Sequence, residues 1–281
     1  MNCLEPITLN KLMSDGVRRR ITVPCGKCIL CEKKRANDFA RRAVDELQFW
    51  NESCVVTLTY NDAHLPPNGL KRRDVQLFSK RLRKYLGDVN VKIYGCGEYG
   101  DLNGRPHYHL IIYGWCPKDL VFRYIKKGRK HYISDVLQRL WSVYKGNDHY
   151  NRPIFDPIGY CDVCKVVDIK TCFYCAKYLQ KRAEAYLPAD YPHSFMITPR
   201  EGLGKRAVNN NMLKQAMLGG TMYRNGKKVP IPRYYRNQLV KQFGEWVGDW
   251  FRIRFLKSQM IYKKDDEVKR ARIEEFDKLL R

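Results

Sequence analysis

The feature that most restricts the fold is a pair of short apolar runs, Val89 to Cys96 and Pro106 to Tyr113, joined by the glycine-rich segment GEYGDLNG. So short a loop returns the chain beside the run it has just left, which predicts an antiparallel hairpin. Upstream, Cys54 to Tyr60 (CVVTLTY) is β-branched and aromatic and reads as a further strand. Three segments have helical periodicity: Asp74 to Leu86, with Val75, Leu77, Phe78, Leu82 and Tyr85, then Ile133 to Tyr144, then Cys172 to Glu184. Hairpin-paired strands with helices between them predict an antiparallel α+β sheet rather than a doubly wound one.

This pattern occupies the middle of the chain, and the expected division is 1–50, 51–184 and 185–281. The first zone has a polar start, the cysteine run PCGKCILC at 24–31, and a basic amphipathic helix from Glu32 to Trp50 with Phe39, Ala43, Leu47 and Trp50 on one side. The third carries Gly219-Gly220 and Pro230-Ile231-Pro232 as punctuation, then a long charged helical tail from Gln238 to Arg281. No internal repeat or low-complexity tract is present.

Within the second strand of the hairpin lies the strongest chemical signal, Arg105-Pro106-His107-Tyr108-His109. Alternation puts both imidazoles on one face of the strand. Glu98, on the preceding arm, is within reach of strand pairing. Two nitrogens and one oxygen make a divalent-metal site with positions open for a substrate phosphate. A bare H-x-H is also what two packing histidines look like, and the carboxylate tips the reading. Tyr174 and Tyr178, one helical turn apart, present two phenols side by side, and Lys177 and Lys181 repeat the offset. A phenol with a pKa near 10 is a weak nucleophile at neutral pH unless a cation assists it, and here both an ammonium and a metal are on offer.

What such a site acts on is narrowed by charge. The chain has 53 Lys+Arg against 29 Asp+Glu, a formal net charge of +24, which draws in polyanions, nucleic acid first among them. No run of about 18 apolar residues is present, and Met1 to Asn10 lacks the basic and apolar regions of a signal peptide, so no membrane partner is expected. A soluble chain in a reducing compartment fits the odd count of eleven cysteines. Cys25-x2-Cys28-x2-Cys31 joined to Cys161-x2-Cys164 makes one candidate structural Zn2+ site. Cys161/Cys164 with Cys172/Cys175 makes another, and plain reduced thiols remain the alternative to both. His64, His131, His149 and His193 read as loop or surface histidines, and Trp246 with Trp250 as helix packing. The basic stretches at 18–20, 71–73, 80–84 and 126–130 read as solvated faces, some of them touching DNA phosphates.

Taken together, the strand VTLTY, the Glu98 hairpin with RPHYHL and the helix YCAKYLQK resemble, in this order, the three motifs of the His-hydrophobic-His (HUH) endonuclease superfamily. The PCGKCxxC start, TLTYND, FSKRLRK, GEYG before RPHYHLIIYG and the late IPRYY narrow the resemblance to replication initiators of small single-stranded DNA phages, the gokushovirus-like microviruses, over about residues 20 to 235. The resemblance implies a ferredoxin-like antiparallel sheet with flanking helices, and a rolling-circle initiator that nicks and joins DNA at a phage origin through a 5′-phosphotyrosine. It implies Glu98, His107 and His109 as ligands of Mg2+ or Mn2+, Tyr174 and Tyr178 as nucleophiles, Lys177 and Lys181 as the helix lysines, and Thr57 to Tyr60 as the first, structural motif. Arg81, Arg83, Lys84 and Arg105 are the expected DNA contacts. Single-stranded or supercoiled origin DNA, a host helicase and a host polymerase are the implied partners, in the host cytoplasm. Cysteines beside Tyr174 depart from the family pattern. A non-catalytic zinc-containing nucleic-acid-binding protein and a related transposase or relaxase are the competing readings.

Overall fold

The structure, a computed structural model, describes residues 3–12, 16–100, 103–165, 167–177, 188, 190–224 and 226–255, with backbone alone at 169 and 177. In chain order the elements are β1 (Ile7–Leu12), β2 (Arg18–Val23), α1 (Ile29–Leu47), β3 (Ser53–Thr59), α2 (Arg72–Leu86), β4 (Lys92–Tyr99), β5 (Pro106–Tyr113), β6 (Val121–Lys126), β7 (Arg129–Ile133) and α3 (Asp135–Leu140). They continue with β8 (Ser142–Asn147), β9 (Pro153–Pro157), β10 (Cys161–Cys164), α4 (Ile169–Lys177), β11 (Phe195–Ile197), α5 (Asn210–Gly219), β12 (Thr221–Arg224), β13 (Lys227–Pro230) and α6 (Arg233–Phe243). The chain divides into two compact units, Met1–Cys31 with Ala207–Arg281 and Glu32–Arg206.

The second unit is built on a seven-stranded sheet of order β11-β4-β5-β3-β10-β7-β6, with each pairing antiparallel. This is the antiparallel α+β architecture that the hairpin pattern predicts. Alternation sorts its side chains. Val56, Leu58, Tyr108, Leu110 and Ile112 face α2 and α3, where Phe78, Leu82, Leu137 and Trp141 complete a fully buried cluster. Each such Phe or Leu stabilises the fold by about 1.5–3 kcal/mol. Tyr94, Ile111 and Tyr113 face the other way, against Ala43 of α1 and Cys172 and Cys175 of α4. Ala36, Ala40 and Ala176 pack together alongside, small side chains that let the two helices approach closely.

Several boundaries differ from the sequence pattern. Helix α2 ends at Gly87 (φ 58°), and Val89 N donates to Leu86 O in the turn that follows. The first arm of the hairpin is therefore Lys92–Tyr99, shifted so that the glycines and Glu98 lie inside the strand. Glycine weakens a strand in general, but a Cβ at Gly95 would lie 2.0 Å from His109 O, so close pairing with β5 requires that residue. The helix expected over 133–144 is the short α3, which Ser134 begins by accepting from Leu137 N. Trp141 ends it, its indole buried and donating to Thr59 O at 2.7 Å, and the residues beyond pair with β9. Helix α4 starts three residues earlier than the periodicity indicates, because Asp168 caps it. Its carboxylate accepts from Thr171 N at 2.7 Å and is held by Arg129 at 2.8 Å. The remainder of the segment expected to be helical, 178–184, lies outside the described residues.

In the first unit β1 pairs with β2 and β12 with β13. The tail does not begin as one helix. Helix α6 stops at Gly244 (φ 101°), helical backbone resumes over 245–255, and 256–281 lie outside the described residues. Among the described residues no helix is long and apolar enough to cross a membrane.

Candidate functional site

The register of the central strands builds the site. Glu98 on β4 lies directly opposite His107 on β5. Across the other edge of β5, Thr57 faces His109 and Thr59 faces His107. Directly opposed residues share a face, so these side chains gather on one surface of the sheet, the surface that α4 covers further along.

Glu98 is 1% exposed, and its Oε1 lies 2.9 Å from both His107 Nε2 and His109 Nε2. The far ring nitrogens are also held, His107 Nδ1 at 3.1 Å from Arg105 O and His109 Nδ1 at 3.1 Å from Thr57 Oγ1. A carbonyl only accepts, so His107 Nδ1 carries the proton and a neutral ring turns its Nε2 lone pair toward the carboxylate. Such an approach needs a shared cation, a proton or a metal ion. Burial opposes ionisation of Glu98, but the hydrogen bonds from His107 and His109 outweigh it and hold the carboxyl below its ordinary range. Burial lowers His109 and favours its neutral form. One carboxylate oxygen and two imidazole nitrogens within 4.8 Å of one another are a donor set suited to Mg2+, Mn2+ or a similar divalent ion. The supporting hydrogen bonds are those that orient metal-bound histidines.

Tyr174 reaches this group from α4. Its ring stands edge-on to His109, centroids 5.2 Å apart, and it is 47% exposed. The buried face of α4 explains the cysteines beside it. Cys172, Cys175 and Ala176 recur at three- and four-residue spacing and pack inward, with burial pushing the Cys172 thiol up to about 12. Tyr60 and Tyr108, by contrast, are locked in the core, their hydroxyls 2.8 Å apart, and burial raises both phenols, Tyr108 to about 12. Tyr178, Lys181 and the Lys177 side chain lie outside the described residues.

A second imidazole–carboxylate pair extends the same strand surface. Asp162 on β10 is opposite Thr57, accepts from Tyr124 OH at 3.0 Å and lies 2.6 Å from His131 Nδ1. Sequence reasoning misses Asp162 and treats His131 as a loop or surface residue. The available signal is the alternation in Cys161-Asp162-Val163-Cys164, which sets the carboxylate apart from its apolar neighbours.

The basic residues expected to meet DNA are placed differently from one another. Arg81 Nη1 donates to Ser142 O and its Nε to Leu77 O at 3.3 Å, which commits that guanidinium to the fold. Arg83 and Lys84 are exposed on α2. Arg105 is close to the site, donating to Asp62 Oδ1 at 2.6 Å and to Tyr60 O at 3.1 Å. A cavity of about 530 Å3 opens beside Ser53, Cys116 and Lys118, at the opposite end of the central strands from Glu98 and the histidines.

The thiols regroup. In the first unit Cys3, Cys25, Cys28 and Cys31 lie with all sulfurs within 4.8 Å of one another. Cys3 Sγ is 3.6 Å from Cys25, 3.8 Å from Cys28 and 3.6 Å from Cys31. These separations match the edges of a tetrahedron of Zn–S bonds of about 2.3 Å and exceed any disulfide. Lys27 N and Cys28 N donate to Cys25 Sγ at 3.4 and 3.3 Å, and backbone amides of Leu4 and Cys31 pull the Cys28 thiol down to about 6. Cys161 and Cys164, expected to share this site, belong to the sheet of the other unit. Three residues apart on a strand, they point to opposite faces: Cys161 Sγ donates to Leu137 O at 3.5 Å, and Cys164 is opposite Val55. Cys3, isolated in the sequence, carries no spacing signal.

Residues 53–183, which hold the Glu98, His107, His109 and Tyr174 constellation, match a family of replication-associated proteins of the ORF2 type. The replication-associated protein VP4 of Bdellovibrio phage phiMH2K is 30% identical over 230 residues, 79% of this chain and 69% of the relative. The replication-associated protein ORF4 of Chlamydia phage 1 is 31% identical over 239 residues, and the chain spans only about half of that relative's length (55%). The replication-associated protein ORF2 of Spiroplasma virus 4 is 34% identical over 248 residues, 82% of this chain and 70% of the relative. No solved structure matches. With identity of 30% or more across over two thirds of two of these relatives, the chain belongs to the ORF2-type family of phage replication-associated proteins.

Proposed function

We propose that the chain starts rolling-circle replication of a single-stranded phage genome by nicking and rejoining one DNA strand at the origin. The observation that carries the reading is the meeting of Glu98, His107 and His109 with a half-exposed tyrosine stacked edge-on to one of the two histidines. Glu98, His107 and His109 hold the metal. A bound Mg2+ or Mn2+ supplies Lewis-acid neutralisation of the scissile phosphate. Tyr174 gives its phenolic oxygen to phosphorus, forming a P–O bond to the 5′ side as the 3′ oxygen leaves and takes up a proton. A 5′-phosphotyrosine and a free 3′-OH result. That hydroxyl primes a host polymerase, with a host helicase parting the duplex ahead of it, and a second tyrosine, Tyr178, resolves the junction after one circuit. Arg105, two residues before His107 in the chain, and the exposed Arg83 and Lys84 of α2 supply phosphate contacts.

Incubating the purified chain with circular single-stranded phage DNA and Mn2+, then running a denaturing gel, tests this reading. Protein-linked linear DNA that protease releases is the expected product. Intact circles at every metal concentration would leave a replication-associated chain that binds DNA without cutting it.

The thiol cluster is a separate metal site in this reading, structural Zn2+ held by Cys3, Cys25, Cys28 and Cys31. Dialysed protein should carry about one zinc per chain, because a four-thiolate site releases the ion slowly. Cys3→Ser should lower that content several-fold, whereas Cys161→Ser should leave it unchanged. Metal analysis of the three proteins decides, and a wild-type content near zero would leave four reduced thiols.

A further inference from the structure

The N-terminal ribbon has no part in the chemistry above. The β1–β2 register puts Thr8 opposite Thr22, Asn10 opposite Arg20 and Leu12 opposite Arg18 on one face, and Ile7 with Val23, Leu9 with Ile21 and Lys11 with Arg19 on the other. Ile21 is buried, so the apolar face is the anchored one. β1 is exposed at every position, and β2 is exposed at Arg18, Arg19 and Arg20. The two strands carry Lys11 and three arginines and no carboxylate. Among the described residues neither Arg18 nor Arg20 belongs to an ion pair. Cys3 precedes β1 and Cys25 follows β2, so the thiol cluster closes the open end of the ribbon and holds its two strands in register.

We propose that this ribbon is a docking arm for duplex DNA, its face of Thr8, Asn10, Arg18, Arg20 and Thr22 lying in a major groove. The proposal rests on the DNA-processing role above and adds a second contact surface to it. Three observations select duplex over single strand. A two-stranded β-ribbon has the width that a major groove admits. Its outward face offers hydroxyls, an amide and guanidiniums, groups that bond phosphates and base edges. Neither strand carries an aromatic side chain, so the stacking platform on which single-stranded binders rely is missing. A ribbon clamped at its base also loses little freedom on docking, which keeps the cost of binding low.

The test uses the full chain with its zinc and measures affinity for a duplex and for a single strand of equal length across a salt series. The double variant Arg18→Ser/Arg20→Ser is compared with Arg123→Ser/Lys126→Ser, which removes the same charge from exposed positions on β6. Zinc content and circular dichroism verify that both variants fold. The ribbon variant should lose duplex affinity about ten-fold or more near 0.1 M salt, with the log–log salt slope falling by about two, one per phosphate contact. The β6 variant should lose markedly less, and single-strand affinity should change equally little in both. Duplex binding that is unchanged by the ribbon substitutions, or is weakened equally by the β6 pair, overturns the proposal, as does a loss confined to single strands. Cleavage by the unsubstituted chain is scored separately, so a failure of nicking leaves this result standing.

Discussion

His107→Ala and His109→Ala should each lower the rate of single-strand cleavage by about 10²–10⁴-fold, the loss expected when several kcal/mol of charge neutralisation leave the reaction. The two rings share one carboxylate oxygen at 2.9 Å, so neither is a spare. Loss of either leaves one nitrogen and a buried carboxylate, a poor site for a hard divalent ion. DNA affinity should fall by less than about three-fold, because binding depends on the number of phosphates neutralised, and a chain of +24 keeps nearly all of its cations. Glu98→Gln should act in the same direction, since an amide oxygen keeps the shape and loses the charge. Cleavage and filter binding measured on the same preparations separate the two effects. Full nicking by either histidine variant, or by the wild type in EDTA, would remove the metal from the reaction and return H-x-H to sheet packing.

Thr57 sharpens this expectation. Its hydroxyl meets His109 Nδ1 at 3.1 Å, so the first strand of the motif set orients a site ring as well as filling the core. The strand is legible in CVVTLTY because β-branched alternation is local. Which threonine touches which histidine is not, because register across three strands depends on the bulge-free pairing of β3, β5 and β4. The same division runs through the hairpin. H-x-H and a nearby carboxylate are visible as types, but glycine's low strand propensity hides that Glu98 lies within β4, directly opposite His107.

The C-x2-C spacings show the limit most clearly, since one pattern has three structural meanings here. At 25–28 it sits in a turn, where backbone amides point at sulfur and a third and fourth thiol join. At 161–164 it sits on a strand, and a spacing of three sends the two thiols to opposite faces. At 172–175 it sits on a helix and both thiols enter the core beside Tyr94 and Tyr113. Spacing cannot choose between these until the element is known, and Cys3 is invisible because its partners lie 22 and more residues away. α3 illustrates a different override. Helical periodicity runs on past Trp141, but burial of that indole and its bond to Thr59 O stop the helix and turn the chain into β8.

Changing both Tyr174 and Tyr178 to Phe should abolish covalent capture of an oligonucleotide that spans the nick site, while each single change should leave an adduct. Geometry singles out Tyr174. It is the phenol stacked on His109, it is half-exposed, and the core tyrosines Tyr60, Tyr94, Tyr108 and Tyr113 have phenols that burial raises far from the anion a nucleophile needs. Sequence spacing singles out Tyr178, because four residues along a helix is one turn, about 40° round, on the same face. Phe keeps the ring packing of each site and removes only the oxygen that bonds phosphorus, so loss of capture in the double variant cannot come from a collapsed helix. The two phenols should differ in rate, since Lys177 precedes Tyr178 by one residue and Lys181 follows it by three. Completion of a circle and the start of the next should suffer more in each single variant than a first nick does, because the second attack needs a tyrosine that is still free. Mass spectrometry of the trapped peptide locates the bond. A phosphate on the exposed Tyr160, or an adduct that persists in the double variant, would move the nucleophile away from α4 and leave the Glu98, His107 and His109 group to be explained with a different attacking residue.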